Sequence, residues 1–299
     1  MTALLAALLL DAALGEPDAL WRRVPHPAVL MGRAVARLEA ALNRGGARRA
    51  RGAAALVLLL LGAAAAGWAV SLLPFGSALG AAVLLAQRSL AEHVAAVAAG
   101  LRAGLPEGRA AVARIVGRDT AAMDAPAVAR AAIESGAENL SDGVVAPALW
   151  FALGGLPAMA AYKALNTADS MIGHRTPRHE AFGWAAARAD DLANWVPARL
   201  TALAIAALHG RLADGRAIAA DARLHRSPNA GWPEAAAARA LDVALSGPRA
   251  YGGRPEPAPF VHPEGRRDPG PADVDAAVRL LWRAWGALAL IVALLALAT

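Results

Sequence analysis

The 299-residue sequence contains no cysteine. This absence excludes disulfides, thiolate zinc sites, iron–sulfur clusters and a cysteine nucleophile. No G-x-S-x-G motif occurs, and the seven histidines show no H-E-x-x-H or related zinc spacing. A Walker A motif is excluded because the single lysine, Lys163, follows a tyrosine. The N-terminus does not read as a cleaved signal, since the first charge is Asp11 and no basic segment precedes the apolar run.

Several polar residue types are scarce. Only Lys163 among the 30 basic residues is lysine, and the chain has five asparagines, two tyrosines and one glutamine. Lys163 and Tyr162 lie in the central polar segments, together with four of the five asparagines: Asn139, Asn166, Asn194 and Asn229. The chain uses arginine at nearly every basic position. The few lysine, asparagine and tyrosine residues are therefore expected at positions whose role arginine or aspartate could not fill. Chance placement is the alternative.

Apolar residues are abundant and clustered. They make up 57% of the chain, and the mean hydropathy is +0.40. Ala53–Leu73 is an uncharged run of 21 residues, about the length that crosses a bilayer core as a helix. The net charge is +6, but the arginines cluster beside apolar runs, which is typical of membrane proteins and not of a nucleic-acid surface.

These patterns predict an all-α, polytopic membrane protein with about four to five spans, forming one domain over residues 1–299. The spans are expected near residues 53–73, 77–99, 144–164, 196–209 and 282–298. Residues 1–14 are expected to associate with the membrane, either crossing it or lying at its surface. Gly154-Gly155 and Pro157 should interrupt the third span, which is tolerated where a helix lines a cavity or is buried in protein. The positive-inside rule places the basic segments 44–51 and 102–118 in the cytoplasm.

The first polar block begins at Arg118-Asp119 and continues with Glu134, Glu138 and Asp142. The three acids follow at four-residue spacing, so one helix face would carry all of them. Like charges at this spacing need a positive partner, either arginine or a metal. Carboxylates with few other ligands suit Mg²⁺. The alternative is a solvated acidic face paired with Arg130.

The second block, 162–173, directly follows an apolar run and should lie at a membrane boundary. Lys163 could supply a positive charge to a phosphate, and Asp169 could bind a metal. Hydrogen-bonding side chains complete the block: Asn166, Thr167 and Ser170. The alternative for Lys163 is a side chain that extends from a helix end to water.

Two further blocks follow. Asp190 and Asn194 would share a helix face, whereas the adjacent Asp191 would point elsewhere, so one of the two acids should cap a helix or pair with arginine. Segment 227–234 reads as a turn and a helix start, where Asn229 and the helix N-terminus could hold a phosphate or carboxylate. A plain helix cap is the alternative.

The ordered motifs resemble the CobD/CbiB family over about residues 8–252. The matching segments are Leu10–Pro17, His26-Pro27, Gly32-Arg33, Arg118-Asp119, Glu134–Asn139, Asp142–Pro147, Tyr162–Gly173, Ala187–Asp191, Pro197–Arg199, Ser227–Pro233 and Tyr251-Gly252. The resemblance implies synthesis of adenosylcobinamide phosphate. In that reaction a propionate of adenosylcobyric acid is joined by an amide bond to (R)-1-amino-2-propanol O-phosphate or a related amino alcohol. ATP and Mg²⁺ are the expected cofactors, with the corrinoid as substrate.

This chemistry suggests roles for the polar residues. The expected catalytic residues are Glu134, Glu138, Lys163, Asp169, Asp190 and Asp191. The expected substrate- and phosphate-binding residues are Arg118, Asp119, Asn139, Tyr162, Asn166, Thr167, Ser170, Asn194, Arg199, Ser227 and Asn229. The expected metal ligands are Glu138, Asp142 and Asp169, with Asp190 or Asp191 as the base or a second metal ligand.

The expected location is the inner membrane, in contact with lipid, with the active site facing the cytoplasm. No nucleic-acid partner is expected, and a homo-oligomer or a complex with other cobalamin-pathway enzymes is left open. The rival interpretations are a multi-span transporter, a membrane metal-dependent phosphotransferase or hydrolase, and a structural membrane protein. A transporter would favour inverted repeats, and none is evident in the sequence.

Overall fold

The structure is a computed structural model that describes residues 1–251, 254–256 and 258–298. The described part of the chain is all-α apart from two short antiparallel ladders. In chain order the helices are α1 (Thr2–Leu14), α2 (Asp18–Trp21), α3 (Pro27–Leu42), α4 (Arg48–Ser71), α5 (Gly76–Leu84), α6 (Gln87–Ala103), α7 (Leu105–Val112), α8 (Ala125–Leu140), a π turn (Ser141–Val145), α9 (Ala146–Ile172), α10 (Trp184–Ala193), α11 (Trp195–Leu208), a 3₁₀ turn (Leu212–Asp214), α12 (Gly215–Ala222), α13 (Gly231–Leu241) and α14 (Pro271–Ala298). The strands are β1 (Leu245–Ser246), β2 (Arg249–Tyr251), β3 (Arg254–Glu256) and β4 (Phe260–Val261), with β1 paired to β4 and β2 to β3.

The chain folds as two compact units. The first unit contains Met1–Ala86, Ala146–Asn194 and Ala289–Thr299, and the second contains Gln87–Val145 and Trp195–Leu288. Of the motifs that carry the family resemblance, Gly252 lies outside the described residues.

The first unit is built on the contact between α4 and α9. Small residues let the two backbones approach, since a Cβ on Gly67 would lie 2.8 Å from the carbonyl oxygen of Leu156. Helix α9 is interrupted as the sequence predicts, because Gly154 and Gly155 have non-helical backbone angles and Gly155 has a φ of 65°. A buried apolar cluster joins α3, α4, α9 and α10, including Val35, Leu59, Ile172 and Phe182.

The second unit has an alanine-rich core in which α8 and α11 pack against α13. Ala235–Ala238 of α13 are at most 1% exposed, so this helix is enclosed by its neighbours. A Cβ on Gly136 of α8 would lie 3.3 Å from Val94 and 3.8 Å from Leu281, which places α6 and α14 against the same helix.

Three segments of the described chain are long and apolar enough to cross a membrane: Arg48–Ser71, Ala125–Ile172 and Pro271–Ala298. They contain the runs predicted at 144–164 and 282–298 and most of the run predicted at 53–73, since α4 ends at Ser71. The last helix begins at Pro271, earlier than the predicted start at residue 282.

Two predicted spans need correction. The span at 77–99 is wrong as one helix, because α5 ends at Leu84 and Leu85 is extended with a ψ of 161°. The segment at 196–209 is helical, but its 14 residues extend only about 21 Å, less than a 30 Å hydrocarbon core. Residues 1–14 likewise form a 13-residue apolar helix that is shorter than a span.

Candidate functional site

In the first unit, the second and third polar blocks meet around Asp190. Helix α10 places Asp190 and Asn194 one turn apart, and the Asn194 amide nitrogen donates to Asp190 Oδ2 at 2.9 Å. From α9, the Tyr162 hydroxyl donates to Asn194 Oδ1 at 2.8 Å, and the Asn166 amide donates to Asp190 Oδ1 at 3.4 Å. We call these four residues, with Asp169, the Asp190 site. The structure therefore brings together five residues predicted from separate motifs.

Asp190 is 9% exposed, and the amides of Asn166 and Asn194 stabilise its charged form only in part. Burial raises the pKa of Asp190 to about 7, and the nearby Asp169 carboxylate acts in the same direction. A carboxyl group with a pKa near neutrality can take up and release a proton at working pH, which is the requirement for a general base.

The aromatic side chains hold this geometry in place. Tyr162 is 3% exposed and stacks on Trp150, with ring centroids 6.4 Å apart and planes at 14°. The Trp150 indole donates to the carbonyl of Ala193 at 3.4 Å, which ties α9 to the end of α10. Tyr162 thus orients Asn194, which in turn orients Asp190.

Other members of the 162–173 block flank the site. Thr167 donates its hydroxyl to the carbonyl of Lys163 at 2.7 Å, and Ser170 donates to Asn166 at 2.9 Å, so both hydroxyl protons go to the helix backbone. Lys163 is half-buried on α9. A Cβ on Gly173 would lie 2.0 Å from Asp169 Oδ1, so only glycine leaves room for that carboxylate.

Asp191 occupies the next position of α10, about 100° around the helix from Asp190. It pairs with Arg188 at 3.6 Å, which confirms that one acid of the pair contacts arginine. Burial raises the pKa of Asp191, while Arg188 and Arg175 lower it.

In the second unit, Glu134 forms a buried ion pair with Arg118. Their side chains are 8% and 11% exposed, and the two charged groups are 3.1 Å apart. The other oxygen of Glu134 accepts from the backbone N–H of Ser246 at 2.7 Å. Glu134 and Arg118 line a cavity of about 330 Å³ with Asp119 and Arg130. The positive partner predicted for Glu134 is therefore an arginine.

The α-helical register changes after Leu140, between Glu138 and Asp142. Glu138 lies in α8, but Asp142 lies in the π turn, which the four-residue spacing does not anticipate. π turns inside helices often occur at functional sites. Asn139 is exposed at this junction, and its amide donates to the carbonyl of Ser135 at 2.9 Å.

Arg199 organises the 227–233 motif within the second unit. Its guanidinium lies between the rings of Trp195 and Trp232, 4.3 Å and 4.7 Å from their centroids. It donates to Asn229 Oδ1 at 3.0 Å, while the Ser227 hydroxyl accepts from the N–H of Asn229 at 3.2 Å. These contacts give Arg199 and Ser227 a positioning role for the loop.

The predicted metal ligands are divided between the units, with Glu138 and Asp142 in the second and Asp169 in the first. Within the described residues, no group of three or more acids and histidines converges as a metal site. Mg²⁺ commonly takes one or two protein carboxylates and completes its shell with water and phosphate oxygens. In the first unit, Asp169 and Asp191 both lie close enough to Asp190 to raise its pKa.

Sequence reasoning missed two ion pairs that involve buried carboxylates. Arg178 binds Glu39 through two hydrogen bonds of 2.8 Å and 2.7 Å, and Arg239 binds Asp221 at 2.7 Å. The Glu39 and Arg178 positions are 139 residues apart. No local spacing connects them, although the lone asparagine outside the central blocks, Asn43, contacts Glu39 at 2.8 Å.

The family described as CobD/Cbib protein matches residues 4–281. The chain belongs to this CobD/CbiB family. Among its relatives, the Cobalamin biosynthesis protein CobD of Rhizobium meliloti (strain 1021) is 52% identical over 94% of this chain and 92% of the relative. The proteins of the same name from Brucella suis biovar 1 (strain 1330) and Rhodobacter capsulatus are each 49% identical; they cover 92% and 98% of this chain, over 90% and 96% of their own lengths.

No solved structure matches the chain. The assignment to the CobD/CbiB family therefore rests on sequence similarity, and the geometry around Asp190 is taken from the structure of this chain.

Proposed function

We propose that this protein acts in cobalamin biosynthesis as the enzyme that joins a propionate of adenosylcobyric acid to (R)-1-amino-2-propanol O-phosphate or a related amino alcohol, using ATP. The family membership and the names of its relatives support the pathway. The observation that carries the reaction type is Asp190, a buried carboxyl group with a pKa of about 7, which is held by two asparagines within a block of phosphate-compatible residues.

Amide formation from a carboxylate requires activation. In the proposed reaction an oxygen of the corrinoid carboxylate attacks the terminal phosphorus of ATP, and ADP leaves. The amine nitrogen then attacks the acyl carbon, the C–O bond to phosphate breaks, and inorganic phosphate leaves. The attacking amine must lose a proton, and Asp190 in its charged form would accept it.

The surrounding residues would bind and orient the reactants. Lys163 would offset phosphate charge, and Asn166 would present its remaining amide proton beside Asp190. Mg²⁺, held by Asp169 and Asp191, would neutralise phosphate charge and orient phosphate oxygens when bound. Tyr162 and Asn194 would keep the base in position without touching the reactants.

In the second unit, the cavity of about 330 Å³ beside Arg118 and Arg130 is a further place for an anionic group of a substrate. Its lining also contains three carboxylates, Asp119, Asp124 and Glu134, which together offset the charge of the two arginines. Glu138 and Asp142 remain candidate ligands along the π turn.

The direct test incubates the purified, detergent-solubilised protein with adenosylcobyric acid, the amino alcohol phosphate, ATP and Mg²⁺, and detects the amide product by mass spectrometry. Asp190→Asn should reduce turnover by at least about 100-fold, the usual contribution of a general base, and Asp169→Asn should reduce turnover by weakening Mg²⁺ binding. Asp268→Asn, at an exposed position in the second unit, is the matched control.

The outcomes separate the alternatives. Amide formation without nucleotide would refute activation by ATP, and near-normal turnover of Asp190→Asn would remove Asp190 as the base. ATP hydrolysis without an amide product would favour a phosphotransferase or hydrolase. Corrinoid uptake into vesicles without product would favour a transporter.

The proposed location is the inner membrane with the Asp190 site facing the cytoplasm, where ATP is available. The arginines at the start of α4, within Arg44–Arg51, and the arginines of 102–118 support this orientation. The cysteine-free chain allows a clean test. A single cysteine at His174 should react with a membrane-impermeant maleimide only after cells are opened, and labelling in intact cells would reverse the orientation.

A further inference from the structure

A second charged cavity lies in the first unit, apart from the Asp190 site. It encloses about 510 Å³ where α3 ends and α4 begins. Its lining consists of Glu39, Ala40, Asn43, Arg44, Gly45, Arg48 and Arg178. None of these residues belongs to the proposed catalytic set, so the proposed reaction leaves the cavity unexplained.

Hydrogen bonds hold several of the lining side chains in fixed positions. Glu39, 8% exposed, accepts two hydrogen bonds from Arg178 and one from Asn43. These partners lower the pKa of Glu39 to about 2, chiefly through the hydrogen bond from Arg178. The Arg178 charge is therefore matched by Glu39.

The other two arginines are not matched by acids. Arg48 donates to Asn43 Oδ1 at 2.7 Å and to the carbonyls of Pro177 and Arg178, all uncharged acceptors. Within the described residues the Arg44 side chain has neither a hydrogen bond nor an ion pair, while Arg51 fixes its backbone by donating to the Arg44 carbonyl. The cavity thus carries two positive charges without carboxylate partners.

The position of the cavity along α4 determines the depth at which it would lie in the bilayer. Arg48 is the first residue of α4, and the uncharged run begins at Ala53, five residues or about 7 Å further along the axis. The headgroup layer on each side of a 30 Å core is about 5–7 Å thick. When α4 spans the bilayer, Arg44 and Arg48 therefore lie at the depth of lipid phosphates.

We propose that this cavity binds the phosphate of an anionic phospholipid headgroup through Arg44 and Arg48. Guanidinium groups recognise phosphate by paired hydrogen bonds, and basic pockets beside membrane helices bind lipid headgroups by the same chemistry. The ion pair of Glu39 and Arg178 holds the wall of the cavity and keeps Asn43 against Arg48. A free phosphate group has the same chemistry, but the depth of the site favours the lipid.

The test titrates the full-length protein in nonionic detergent with dihexanoyl phosphatidylglycerol, dihexanoyl phosphatidylcholine and inorganic phosphate, using native mass spectrometry and thermal unfolding. Phosphatidylglycerol should bind and raise Tm. Arg44→Gln should weaken its affinity about fivefold, the effect of one basic residue near a lipid surface, and Arg44→Lys should keep most of the binding. Arg37→Gln, an equal charge change on exposed α3 surface outside the cavity, is the matched control.

Three results would overturn the proposal. Equal phosphatidylglycerol affinity in Arg44→Gln and Arg37→Gln would show only general attraction to positive charge. Equal binding of phosphatidylcholine would show that anionic character is irrelevant. Arginine-dependent binding of inorganic phosphate without phosphatidylglycerol binding would assign the cavity to a soluble anion. Within the described residues the Arg44 side chain forms no hydrogen bond or ion pair, so Arg44→Gln should fold normally. A Tm equal to that of the wild-type protein in the absence of lipid verifies that it does.

Discussion

Replacing Asp190 with asparagine should change the pH dependence of stability as well as activity. Asp190 has its charge buried in the fold and only partly offset by Asn166 and Asn194. Because its pKa rises from the ordinary 3.8 to about 7, the folded protein binds this proton more tightly than the unfolded chain does. The stabilisation is complete below pH 4 and is lost as the pH rises towards 7.

The magnitude follows from the two pKa values. The interval between 3.8 and about 7 corresponds to about 4 kcal/mol of folding free energy, which is a large part of the stability of a typical domain. Asparagine has nearly the same shape and can keep the contact with Asn194, but it carries no charge. Asp190→Asn should therefore remove most of this contribution to the pH dependence between pH 4 and 7.

Thermal unfolding of the detergent-solubilised protein across this pH range measures the effect. The wild-type protein and the exposed control Asp268→Asn should lose stability together as the pH rises, while Asp190→Asn should lose less. In parallel, the turnover of the wild-type enzyme should fall as the pH drops below about 7, because Asp190 becomes protonated. Identical stability–pH curves for Asp190→Asn and the control would refute the assignment of a buried, nearly neutral Asp190.

Two further substitutions test the packing of each unit. Glu134→Gln removes one charge of the buried ion pair and leaves Arg118 without its carboxylate, which should cost about 3–5 kcal/mol in thermal or denaturant unfolding; a loss below 1 kcal/mol would show that the pair is solvated. Gly52→Ala would place a Cβ 1.9 Å from the carbonyl oxygen of Phe182, so Tm and the yield of folded protein should drop, whereas Gly62→Ala, with no atom within 4 Å of its Cβ, should have little effect. Equal Tm values for the two glycine variants would contradict the close approach of α4 to Phe182.

The sequence predicted those features that depend on local composition. The uncharged run after Gly52 identified α4, and the Gly154-Gly155 pair identified the interruption of α9, because glycine readily adopts the backbone angles found there. Two of the scarce asparagines that the sequence singled out, Asn166 and Asn194, both contact Asp190 in the structure.

The features that it did not predict depend on tertiary structure. The break at Leu85 has a signal in the sequence, since Gln87 and Arg88 follow it directly, but hydropathy does not fix where one helix ends and the next begins. The π turn at Ser141–Val145 changes the register that spacing rules assume to be constant. Glu39 and Arg178 meet only after α3 and the segment after α9 have packed together.

Glu39 and Asp190 are both buried acids of the first unit, but their different hydrogen-bond partners shift their pKa values in opposite directions. Glu39 has an arginine bound through two hydrogen bonds, so its pKa falls and its carboxylate is fixed as a structural anion. Asp190 has asparagines instead, and other carboxylates lie nearby, so its pKa rises to the range where protons are exchanged. Asparagine supplies hydrogen bonds without a compensating charge, and this explains why a chain so rich in arginine places amides around Asp190. An arginine at position 194 would hold Asp190 as firmly but would keep it ionised and weakly basic, which suits a structural ion pair and not a proton acceptor.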